Sequence, residues 1–69
     1  MRRLRFQKFV VGDTVRLLCN DQEAKVVEVI DHRSVRVELD GTHQSWAARG
    51  HTGMIQMVFA SRRVVKVGN

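Results

Sequence analysis

The sequence predicts an all-β fold, with five short strands curled into a small barrel or sandwich. Three observations carry that expectation. Apolar residues recur at every second position, the period of a half-buried strand, and no segment holds the long 3.6-residue stripe of a helix. Turn-forming residues interrupt these runs at short, regular intervals. With 69 residues the chain makes one small domain, and such a domain buries only about 60% of the surface its unfolded form exposes. A TIM barrel or a doubly wound sheet does not fit in that length.

Each element has its own justification. The Gly12-Asp13 turn opens onto Val15-Arg16-Leu17, apolar, charged, apolar, which makes a first strand. Ala24 to Ile30 is rich in β-branched residues and makes a second, ended by the turn Asp31-His32-Arg33-Ser34. Val35-Arg36-Val37-Glu38-Leu39 is the cleanest strand, with its apolar side chains on one face and Arg36 and Glu38 on the other. Asp40-Gly41 is a turn signal. Residues 42–53, with Gly50, Gly53, His43, His51 and Trp46, read as a loop. Met54 to Phe59 is a fourth strand: Ile55, Met57 and Phe59 share one side, and Met54, Gln56 and Val58 share the other. Ala60-Ser61-Arg62-Arg63 breaks the period as a single helical turn, and Val64 to Val67 forms a short fifth strand. Phe6, Phe9 and Phe59 read as core or near-core. Closing such a sheet removes its exposed edges.

A content of 43% hydrophobic and 28% charged residues belongs to a globular chain rather than a disordered tail. The single cysteine, Cys19, cannot staple the fold internally, which points to a reducing, cytoplasmic setting. It is expected to end the first strand as a small apolar residue. No apolar run approaches the roughly 18 residues that span a membrane, and no stretch of signal-peptide length follows the basic N-terminus.

The distribution of charge says more than the net +5. Arg2, Arg3, Arg5 and Lys8 open the chain with no acid among them. All seven acids fall between residues 13 and 40. Arg49, Arg62, Arg63 and Lys66 then follow, again with no acid. If the two ends of the chain lie side by side, they form one basic face opposed to an acidic one, which suits a polyanion and above all nucleic acid. Most of the cations are arginine, whose fork matches phosphate bidentately. Arg2, Arg3, Arg5, Arg49, Arg62, Arg63 and Lys66 are therefore the candidate phosphate contacts. Nothing in the sequence makes a recognition helix or a base-reading ribbon, so strong sequence specificity is not expected.

The runs Phe9-Val10-Val11-Gly12-Asp13-Thr14-Val15-Arg16, Ala24-Lys25-Val26-Val27-Glu28-Val29 and Val35-Arg36-Val37-Glu38 resemble an SH3-like barrel of the KOW and Tudor kind. So does the ending, a short turn at Ala60-Ser61 and a last strand at Val64–Val67. The resemblance implies a small five-stranded SH3-like barrel over residues 9–67, preceded by a basic arm at 1–8. A narrower similarity is to the type II, plasmid-borne dihydrofolate reductases, short SH3-like chains that work as tetramers. It rests on Gly12-Asp13-Thr14-Val15-Arg16 and Gly53-Met54-Ile55-Gln56-Met57-Val58. Val58 stands where that family's pattern has tyrosine, and Leu17 where it has lysine. The resemblance implies an oligomer with a central pore lined by Gln56.

Trp46, with Gln44 and Arg49 nearby, has two readings. It stacks a base or anchors a protein partner, or it folds back over one open end of the barrel. Met54, Gln56 and Val58 together look like a self-association face, so a homo-oligomer is expected. His32, His43, His51, Cys19 and Asp40 lack the close ligand pairs of a zinc site, and no glycine loop is built to cradle phosphate. The expectation is a binding module for nucleic acid or a protein, with no metal, no other cofactor and no catalytic residues.

Overall fold

The computed structural model describes residues 8–67. Five strands form in the order foreseen: β1 (Thr14–Leu17), β2 (Glu23–Asp31), β3 (Ser34–Asp40), β4 (Met54–Ala60) and β5 (Val64–Lys66). A 3-10 turn, η1 (Ser61–Arg63), joins the last two. All pairings are antiparallel, and the strands lie side by side as β4-β3-β2-β1-β5. This five-stranded antiparallel sheet is consistent with an SH3-like barrel.

The expected closure does not occur: β4 and β5 are the two edges, and no ladder joins them. The cause lies in the connection. β5 is only three residues long and is taken up by β1, where Val64 lies opposite Leu17 and Lys66 opposite Val15. β2 is nine residues long. Its register with β3 slips between Val26 and Glu28 and again between Val29 and Asp31, and such bulges sharpen the local twist.

The alternation in the sequence becomes the core directly. Val15, Leu17, Val26, Val35, Val37 and Val64 are fully buried, and Leu39, Ala24 and Phe9 join them. Ile55, Met57 and Phe59 on β4 pack against this cluster but remain half-buried. Phe6 and the arm up to residue 7 lie outside the described residues.

Two local expectations are corrected. The segment after Asp40 holds a short helix, α1 (Gln44–Ala47), where a loop was expected. The Nδ1 of His43 accepts the Ser45 N–H at 3.1 Å and caps its first turn, and Trp46, buried in the core, ties it down. A helix of four residues is too short to display a period of 3.6 in sequence. Cys19 is exposed in the turn after β1 instead of ending the strand, because the chain reverses at Leu18 and the Asp21 N–H donates to the Leu17 carbonyl.

Candidate nucleic-acid interface

The basic residues divide into places with different surroundings. η1 carries Arg62 and Arg63, both exposed. Its position is set from two sides. The Ser61 N–H donates to the Arg33 carbonyl at 2.7 Å, and the Ser61 hydroxyl to the His32 carbonyl at 3.1 Å, which pins η1 to the β2–β3 turn. On the other flank the Leu18 N–H donates to the Arg63 carbonyl at 3.0 Å. Arg33 is thereby brought beside Arg62 and Arg63, and it too is exposed. Sequence reasoning missed Arg33, because it sits in the acidic middle third of the chain. Its signal was the turn itself, which Asp31 holds by accepting the Arg33 N–H at 2.8 Å.

The guanidinium groups of Arg33, Arg62 and Arg63 have no ion pair or side-chain hydrogen bond among the described residues. Other cations are engaged. Arg36 meets Glu28 at 2.9 Å, and Arg16 lies 3.7 Å from both Asp21 and Glu23. Lys66, grouped in sequence with Arg62 and Arg63, lies at the far end of β5. Its ammonium sits 3.6 Å from Asp13 and 5.9 Å from the centre of the buried Phe9 ring. Arg49 follows α1 and stacks over Trp46 at 5.9 Å. Arg2, Arg3 and Arg5 lie outside the described residues.

Trp46 occupies the place of a cover over the core. Only 6% of it is exposed, its ring meets Phe59 edge-on at 6.4 Å, and its N–H donates to Gln22 Oε1 at 2.7 Å. The Gln22 amide in turn donates to the Asp40 carbonyl at 3.0 Å, which ties the β1–β2 turn to the end of β3. Little of the indole surface is left for stacking on a partner. Below it, the Asp40 carboxylate accepts both the hydroxyl and the N–H of Thr42, and these bonds hold its pKa below the ordinary value.

Met54, Gln56 and Val58 lie on the outer face of β4, away from the core. Their neighbours on β3 are Asp40, Glu38 and Arg36, in that order. Among the described residues no three histidine, cysteine or acidic side chains gather as metal ligands, and no helix is long and apolar enough to cross a membrane. No family model, curated protein or solved structure matches the chain.

Proposed function

We propose that this chain is a small SH3-like binding module, built in the manner of KOW and Tudor domains, that contacts nucleic-acid phosphates through the arginines gathered at η1. One observation carries the reading: Arg33, Arg62 and Arg63 present guanidinium forks with no acid partner among the described residues, whereas Arg16, Arg36 and Lys66 each have one. Unpaired arginines on a firmly held turn meet phosphate oxygens without first breaking an internal ion pair. Arg49 and the arginines of the arm add long-range attraction. Contacts of this kind position a duplex or a folded RNA without reading its bases.

Salt dependence tests the reading. Three phosphate contacts on duplex DNA give a slope of log affinity against log salt of about −2.7, at roughly −0.9 per contact, and steeper if the arm adds contacts. The double variant Arg62→Ala, Arg63→Ala should flatten the slope by about two units while circular dichroism stays that of the parent. Fluorescence anisotropy on a short duplex and an RNA hairpin measures both. An affinity indifferent to salt, or no binding at low salt, rejects the reading. Consumption of reduced nicotinamide cofactor with dihydrofolate would favour the reductase-like alternative instead.

A further inference from the structure

The geometry points to β4 as a self-recognition edge: a second copy of this chain adds its own β4, antiparallel, about a two-fold axis at Met57. The two edges of the sheet are unlike. β5 is three residues long and carries Lys66, two of the usual guards against edge pairing. β4 is seven residues long and has no charge, no proline and no bulge.

The ladder phase shows which groups are open. The Gly41 N–H donates to the Gly53 carbonyl and the Ser61 N–H to the Arg33 carbonyl, one at each end of the β3–β4 pairing. Between them Ile55, Met57 and Phe59 fall at the positions that exchange both bonds with β3. The N–H and C=O groups of Met54, Gln56, Val58 and Ala60 therefore point away from the sheet. The Ala60 carbonyl, at the N-cap of η1, accepts the first bond of that turn; the other outward groups have no further backbone or side-chain bond among the described residues.

An axis at Met57 sets Gln56 opposite the second copy's Val58 and Met54 opposite its Ala60, so the open N–H and C=O groups of Gln56 and Val58 pair with each other across the joint. The flanking charges agree with this register. Arg36 lies beside Val58 and Glu38 beside Gln56 on β3. Each of the two central rows across the joint then reads Arg36, Val58, Gln56, Glu38, with opposite charges at its ends and none of like sign in contact. The inner face points the same way. Val35, Val37 and Leu39 are at most 1% exposed, while their β4 partners Phe59, Met57 and Ile55 stay half-open and would be covered by a second strand.

Sedimentation velocity on the full chain over a range of concentration tests this, with two variants. Gln56→Pro removes one outward N–H and leaves the β3 ladder intact, since a proline is tolerated where the N–H faces solvent. Val58→Lys places an edge charge without altering the backbone, and it decides the matter should the proline variant fail to fold. The parent is expected to dimerise, more strongly as salt screens its net +5, and both folded variants to sediment as monomers. Nucleic-acid binding weakens with salt, so the two proposals fail separately. A parent that stays monomeric at its highest soluble concentration overturns the inference. Variants that dimerise like the parent overturn it as well.

Discussion

At the scale of single residues, Gly41 bears the tightest constraint. It is buried, its N–H reaches the Gly53 carbonyl at 2.6 Å, and a β-carbon there would lie 2.8 Å from that same oxygen and 3.1 Å from Ile55 Cγ2. The obstacle is backbone and cannot rotate aside. Gly41→Ala should therefore cost about 1–3 kcal/mol, as overpacking does. In a domain of this size each kcal/mol lowers the melting temperature by about 4–8 °C, so a thermal scan checks it. An unchanged midpoint would show that the two strands separate freely at this point. Asp40-Gly41 was legible as a turn. The demand for glycine was not, because it comes from Gly53, which only the β3–β4 pairing brings across.

Among the elements, η1 joins fold to proposed function. Its three residues position Arg62 and Arg63 only because Ser61, 7% exposed, holds the β2–β3 turn through both its N–H and its hydroxyl. Ser61→Ala removes the hydroxyl bond to His32, a loss of about 1 kcal/mol. No charge changes. If η1 sets the arginines against phosphates, affinity for the duplex should still fall severalfold, and anisotropy beside a urea titration separates that effect from the stability loss. Unchanged affinity would mean that the arginines act as loose charge. The break in alternation at Ala60-Ser61 was readable as a helical turn. Its attachment to Arg33 was not, since those residues are far apart along the chain.

Across the whole molecule, charge and edge geometry act against each other. A net +5 opposes the contact between copies that is proposed for the uncharged β4 edge. Gln56→Glu tests that balance. The new carboxylate lies opposite Glu38 on β3 and diagonal to its mate in the second copy, and like charges so placed are destabilising. The variant should be monomeric near neutral pH. As the pH falls through and below the ordinary glutamate pKa of about 4.3, the variant should come to associate to the same degree as the parent at that pH, since protonation removes the one charge by which they differ. Sedimentation velocity of variant and parent at the two pH values decides it, and a variant that associates like the parent at both places Gln56 away from the joint.

The strands, and the residues that share a face within each, follow from the sequence alone. Val35, Val37 and Leu39 share one face of β3, and Ile55, Met57 and Phe59 share one face of β4 with Met54, Gln56 and Val58 on the other, because side-chain direction in a strand depends only on position modulo two. That rule needs no knowledge of neighbours; packing against the core then set the Met57 face inward. Tertiary structure decided everything that depends on which strands meet. It put Trp46 under Gln22, gathered Arg33 with Arg62 and Arg63, drew Lys66 away to Asp13, and left β4 as an open edge. Each of these joins residues distant in sequence, and such contacts are set by the order of strands in the sheet rather than by any local pattern.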